Sequence, residues 1–247
     1  MLNKLIEIYR KSASAMALVT ASDSTHARSL LNLLASACQH EPTTSVIVYD
    51  LGLTADQRAS VTDLGCELRR FDFASYPAFV DIHNSAGQYA WKPQIIRTVA
   101  QERPGIVCWM DAGNIIAEPL LQLRRETERF GYYSASSSGT LGAWTHPDML
   151  RYLGLPAGWK SEAANLNGAC IAFDTRNPMA TDLLERWANL SLIKECIAPH
   201  GSDRSNHRQD QALLTVLAHM AGCRAKASKK LLGYRIHQDV EEDRVSA

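Results

Sequence analysis

An aspartate at the end of a strongly apolar run is the residue here whose setting most invites chemistry. Ile106, Val107, Cys108, Trp109 and Met110 lead straight into Asp111, and the small residues Ala112 and Gly113 follow with Asn114. Such a run reads as a buried parallel strand that delivers a carboxylate to the carboxyl edge of a sheet. Ligands of open α/β sheets bind in the crevice outside that edge. A carboxylate there, with backbone free to come close, can hold a divalent cation against a pyrophosphate, although it can equally cap a turn. Lys92, in Trp91-Lys92-Pro93, is a cation that could stabilise growing negative charge on phosphate, or a solvated lysine at a helix start. Asp210, in Gln209-Asp210-Gln211, could serve as a general base, or simply suit a helix start. His207 could meet a phosphate, or be an ordinary exposed loop histidine. Trp109 and Trp144 could stack on a ring, with Trp109 more at home in the core.

The elements that must position these groups alternate. Met16 to Thr20 reads as a strand, followed by the polar stretch Ala21-Ser22-Asp23-Ser24-Thr25. A helix then carries Ala27, Leu30, Leu31, Leu34 and Cys38, with Ser24 or Thr25 as its N-cap. Val46 to Asp50 is a second strand, Thr54 to Gln57 a capping box, Gly65 a helix stop, and Cys66 to Phe71 a third strand. Strand–helix units in succession mean a parallel sheet with right-handed crossovers. Asp72 to Gln88 reads as a loop over the sheet edge. Pro93 suits the first turn of a helix that turns Ile95, Ile96, Val99 and Ala100 inward. Leu120 to Arg129 is a short charged helix, with Arg124, Arg125, Glu126, Glu128 and Arg129 on a solvated face. Tyr132-Tyr133 is a strand, and the serine-rich Ser134 to Thr140 a candidate mobile loop. Ala169 to Asp174 is a strand preceded by Asn165-Leu166-Asn167-Gly168. A helix follows from Pro178, another spans Ala212 to Ala221, and the tail runs through Tyr234 to Asp239 into an acidic, frayed end.

Composition narrows the classes. The 247 residues are 46% hydrophobic and 21% charged, the balance of an ordinary globular protein. Lysine plus arginine equals aspartate plus glutamate at 26 each, so no global field draws the chain to nucleic acid. Six cysteines lie far apart without a C-x-x-C pair, which argues against a zinc site or disulfide framework and for a reducing compartment. No run reaches the length of a membrane span and the first residues do not read as a signal peptide, so a cytoplasmic location is expected. Leu2, Leu5, Ile6 and Tyr9 could form an amphipathic face for the chain's own core or for peripheral membrane association.

In their order, these stretches resemble the nucleotide-sugar glycosyltransferases of the GT-A fold, in particular the glycogenin-like and bacterial galactosyltransferase-like branch. The resemblance runs from Thr20 to about Asp239. It implies a single α/β, Rossmann-type domain over residues 1–247, with a mostly parallel central sheet flanked by helices. Residues 1–118 would form the nucleotide-binding half and 119–247 the sugar and acceptor half. It implies that Thr20, Ala21, Ser22 and Asp23 touch the nucleoside and that Lys92 helps hold the donor. Asp111-Ala112-Gly113 stands where the metal-binding D-x-D motif would be. Asn167 and Gly168 would line the sugar pocket, Gln209 and Asp210 would sit beside the sugar, and His237 would join Asp111 as a ligand to Mn²⁺ or Mg²⁺. The second aspartate of D-x-D is replaced by Gly113, and Asp239 would be a further ligand if the tail is extended; the sequence permits a weaker metal site or a metal-free enzyme whose Lys92 and Arg208 neutralise the phosphates. The expected activity is transfer of a sugar from a nucleotide-sugar donor, UDP-linked, to a hydroxyl of a glycan or other acceptor, with Asp111, Asp210 and Lys92 doing the chemistry. The resemblance also suggests a role in bacterial surface polysaccharide synthesis. The alternatives are a non-catalytic nucleotide-sugar-binding or scaffold protein and a sugar nucleotidyltransferase. The latter is disfavoured by the lack of a glycine-rich basic loop after the first strand.

Overall fold

The computed structural model describes residues 15–223 and 232–240; the amphipathic face expected over Leu2 to Tyr9 lies outside them. Met16–Ser22 (β1), Ser45–Asp50 (β2), Glu67–Arg70 (β3) and Ile106–Met110 (β4) form a parallel array. Tyr132–Thr140 (β6) and Ala164–Asp174 (β7) complete a six-stranded sheet of order β3-β2-β1-β4-β7-β6. Between β4 and β6, Ile115–Ile116 (β5) pairs with Tyr234–Arg235 (β8) in a separate two-stranded ribbon. The first helices are Ala27–His40 (α1), Ala55–Asp63 (α2), Trp91–Glu102 (α3) and Leu121–Phe130 (α4). Two short ones follow, Leu141–Trp144 (α5) and Pro147–Tyr152 (α6). Pro178–Ser191 (α7), Lys194–Ile197 (α8) and Gln209–Met220 (α9) close the set.

The apolar runs of β1 and β4 are buried on both faces, as a sheet covered by helices on two sides requires. Successive side chains point to opposite faces. Val19, Val107 and Trp109 therefore pack with Ile96 of α3, Trp187 of α7 and Leu213 of α9. Leu18, Cys108 and Met110 pack with Leu33 of α1 and Leu123 of α4. Thr54 caps α2 in the expected box, its hydroxyl accepting from Gln57 N while the Gln57 side chain accepts from Thr54 N. No helix among the described residues is long and apolar enough to cross a membrane.

The central sheet is mostly parallel, as expected, with β7 running antiparallel to β4 and β6 antiparallel to β7. Several other sequence expectations are corrected. Ser134 to Thr140 is not a loop but the far half of β6, pairing Ser134 with Ile171 and Ser136 with Leu166. Partnership with a long central strand overrides weak intrinsic strand preference there, and the Ser134 hydroxyl donates to Asn167 O at 2.8 Å. Asn165 to Gly168 lies inside β7 rather than before it. The capping residue ahead of α1 is Asp23, which accepts from the Thr25 and His26 backbone in a 3-10 turn over Ser24–His26. Arg124 leaves the solvated face of α4, buried against Glu41 and Thr44. The acidic end expected to fray lies, from residue 241 on, outside the described residues, and the stretch before it is tied down. Beyond β8, Gln238 N donates to Gly113 O at 2.7 Å and Val240 N to Ser29 Oγ at 3.0 Å.

Candidate active site

The carboxyl ends of β1 and β4 open into a cleft of about 610 Å³. Its walls are the segment before α3, the middle of β7, the start of α9 and the tail. That volume is ordinary for a small-molecule site. It lies where open α/β sheets take their ligands.

At its floor stands Lys92, only 4% exposed. The first turn of α3 points it under the end of β4. Its Nζ lies 3.0 Å from Asp111 Oδ1 and 3.2 Å from Asp210 Oδ2, and donates to Gly168 O at 3.3 Å. The rings of Trp109 and Tyr89 lie 5.5 and 5.7 Å from the ammonium. Burial works against the charge on Lys92, but Asp111 and Asp210 outweigh it and hold the ammonium above the usual lysine range. Asp210 is fixed by the start of α9, where Trp187 Nε1 donates to its carbonyl at 3.0 Å. Burial pushes its carboxyl up, against the pull of Lys92. Asp111 differs. Its backbone N–H is tied to Ala169 O at 2.9 Å and its Oδ1 accepts from Trp109 Nε1 at 2.6 Å, yet its side chain is 41% exposed into the cleft. One acid is thus buried with raised proton affinity, and the other faces the open cleft.

The structure brings together nearly all of the expected residues. Ala21, Ser22, Asp23, Ala112, Gly113, Asn167, Gly168, Gln209 and His237 line the same cleft. Thr20 does not, being wholly buried behind it with a hydroxyl that has no partner among the described residues. Asp23 is a capping acid: burial opposes its charge, but bonds from His26 and Thr25 prevail and bring its pKa to about 2. Asn167 spends its Oδ1 on Ala169 N and Cys170 N, which leaves its amide nitrogen as the atom to offer a ligand. His207 is no exposed loop residue. It is fully buried, with Nε2 bonded to Ile197 O at 2.9 Å and Nδ1 accepting from His146 N at 3.2 Å. Arg208 lies over the Trp144 ring at 4.1 Å, and both line the cleft.

Strained backbone gathers at the same place. Ser85 to Tyr89 runs through five consecutive positive φ angles of 51–60°, and Gln209 and His237 add 38° and 56°. Of these residues only Gly87 is glycine. Such conformations persist where surrounding structure over-determines them, most often at functional sites. Trp91 Nε1, donating to Ala86 O at 3.1 Å, is one such tie.

Among the described residues no three histidine, cysteine, aspartate or glutamate side chains gather closely enough to hold a metal ion alone. The donors present suit a hard cation of another kind, one held by one or two carboxylates that completes its shell with water and phosphate oxygens. Asp111 offers an exposed carboxylate, with His237 and Asp239 in the same cleft.

Arg204 and Asn114 were missed from the sequence. Arg204 Nη1 donates to Tyr89 Oη at 2.7 Å across the cleft. Asn114 Nδ2 donates to Ala169 O at 2.6 Å and locks the turn after Asp111. A side-chain amide directly after an Asp-small-small turn is a signal that could have found the second. Nothing in the sequence around Arg204 marks it.

Residues 2–97 match a family model described as "Protein of unknown function (DUF1647)". No curated protein matches the chain. Solved structures do. Core-mannan synthase A from Aspergillus fumigatus, in its Mn/GDP form, aligns with a TM-score of 0.55 over 89% of this chain and 74% of its own, at 9% identity. The bifunctional glycosyltransferase WbbM aligns at 0.52 and 15% identity over 83% of this chain, which spans only 37% of WbbM. The galactosyltransferase LgtC, in complex with donor and acceptor sugar analogs, aligns at 0.50 and 19% identity over 81% of this chain and 69% of its own. With strand order, cleft position and these likenesses in agreement, the chain has a GT-A-like glycosyltransferase fold.

Proposed function

We propose that this chain transfers a sugar from a nucleoside-diphosphate donor, UDP-linked, to a hydroxyl of a glycan or another acceptor. The observation that carries the reading is the buried Lys92 ammonium shared between Asp111 and Asp210 at the floor of the cleft. Breaking the bond from the sugar's anomeric carbon to the diphosphate leaves positive charge on the sugar and negative charge on the leaving group. Preorganised groups aimed at those charges lower the barrier without reorganising as the reaction proceeds. Lys92 holds Asp111 toward the diphosphate end and Asp210 beside the sugar. The raised proton affinity of Asp210 suits it to accept a proton from an acceptor hydroxyl, or to hydrogen-bond the donor sugar. Asn167 and Gly168 face the sugar, while Ala21 to Asp23 face the nucleoside. A divalent cation held by Asp111 and His237 would supply charge stabilisation at the diphosphate when bound.

The test is release of nucleoside diphosphate from UDP- and GDP-sugars by purified protein, with and without Mn²⁺. Asp111→Asn should lower turnover at least about 100-fold, the scale seen when one preorganised charge-stabilising group is lost. Unchanged turnover in that variant would refute the assignment. Gly113, which carries no carboxylate of its own, favours a second reading as a non-catalytic nucleotide-sugar binder. That protein would be stabilised by a donor it never cleaves.

A further inference from the structure

Position 113 is where a two-aspartate motif would carry its second carboxylate, and the space beside that glycine is already taken. A β-carbon placed on Gly113 would stand 2.1 Å from Asp239 Oδ1, 2.4 Å from its Cγ and 2.5 Å from its Oδ2. Real β-carbons essentially never come so near another atom, so a side chain at 113 would push the Asp239 carboxylate, the free end of its side chain, out of this place. Gly113 is not among the positive-φ glycines, so its missing side chain serves the close approach of Asp239 and not a backbone twist. The approach is fixed on both sides of Asp239. Gln238 N donates to Gly113 O, Val240 N donates to Ser29 Oγ, and just upstream β8 is paired with β5.

Two further observations point to a ligand. Asn114, 1% exposed and lining the same cleft, leaves its Oδ1 without a hydrogen-bond partner among the described residues. Lys92 is already shared by Asp111 and Asp210, and Asp239 has no cationic partner among the described residues. We propose that Asp239 supplies from the tail the carboxylate that position 113 lacks, and that Asp111 and Asp239 together bind a divalent cation. Two hard carboxylate donors beside a diphosphate site are the protein share that Mg²⁺ or Mn²⁺ usually takes. The location rests on the glycosyl-transfer reading; the ligand exchange is additional to it.

The test is Mn²⁺ binding to the whole chain, read by calorimetry and by loss of the free-ion spin-resonance signal, with no turnover required. Asp239→Asn, which keeps shape and removes charge, should weaken Mn²⁺ at least about 10-fold, as losses around metal sites do. The exchange variant Gly113→Asp with Asp239→Gly should recover parental affinity to within a few-fold. Parental binding in Asp239→Asn, no recovery in the exchange variant, or no Mn²⁺ binding by the parent would each overturn the proposal. Mn²⁺ binding lost in Asp111→Asn but kept in Asp239→Asn sinks only this inference. Tight Asp239-dependent binding with no cleavage of any donor sinks only the glycosyl-transfer reading.

Discussion

Lys92 is a single cation serving two acids, and its removal has a calculable direction. Lys92→Met leaves Asp111 and Asp210 facing each other across an apolar gap, one of them buried. Breaking a buried pair by deleting one partner costs about 3–5 kcal/mol, so denaturant unfolding should show a loss of that order together with loss of donor cleavage. His207 gives a pH prediction of definite sign. Burial brings its pKa from 6.5 to about 4, helped by His146, and its neutral ring is bonded at both nitrogens, with Nδ1 an acceptor. The unfolded chain takes up the proton first as pH falls. The stability is fully present above pH 6.5 and drains away toward pH 4, by about 3 kcal/mol in all. Thermal midpoints measured across that window should fall in the parent and stay flatter in His207→Gln; equal slopes would refute the assignment. Lys92 was legible in sequence because Trp91 and Pro93 mark a fixed helix start. Its second partner was not, since Asp210 lies far along the chain and nothing local announces the meeting. His207 was misread because its polar neighbours look like an exposed loop.

At the scale of elements, the turn before α3 holds the most strain. Gly87 has φ +60°, and a β-carbon there would meet Val80 O at 2.1 Å and Trp91 Cδ1 at 2.9 Å. Gly87→Ala should therefore destabilise by about 1–3 kcal/mol and weaken donor binding through displaced Tyr89 and Lys92, a combination that calorimetry and unfolding read separately. On the opposite side of the sheet, the buried pair of Arg124 with Glu41 ties α4 to the end of α1, and Glu41 also accepts from Leu120 N at 2.7 Å. Arg124→Ala should cost about 3–5 kcal/mol while leaving donor affinity unchanged. Strands β1, β2 and β4 were legible as apolar runs, and α2 by its capping box. The outer half of β6 was not, because serines pair there through backbone that any residue supplies. The direction of β7 was equally hidden, since apolar content fixes burial and not orientation.

For the molecule as a whole, the parallel half of the sheet brings β1 and β4 to one edge, and later segments close over it. The residues that line the cleft thus come from stretches spread across the described chain. A ligand spanning them should stabilise the entire fold. A nucleotide sugar at 100 times its dissociation constant adds about 2.7 kcal/mol, and a thermal-shift panel of UDP- and GDP-sugars should show one class raising the midpoint and the rest leaving it still. No response from any nucleotide sugar would remove the cleft from consideration as their site.

The clasp between Gly113 and Asp239 reaches beyond this one chain. A side chain at the first position displaces the acid at the second, and a small residue at both leaves Asp111 without a companion carboxylate, so the pair should drift in concert. Sequences descended from a shared ancestor should hold one acid between these two places and seldom two or none, a pattern that an alignment can check. Scanning for neighbouring aspartates would pass over every member that made the exchange, because what is adjacent in space has been parted along the polymer.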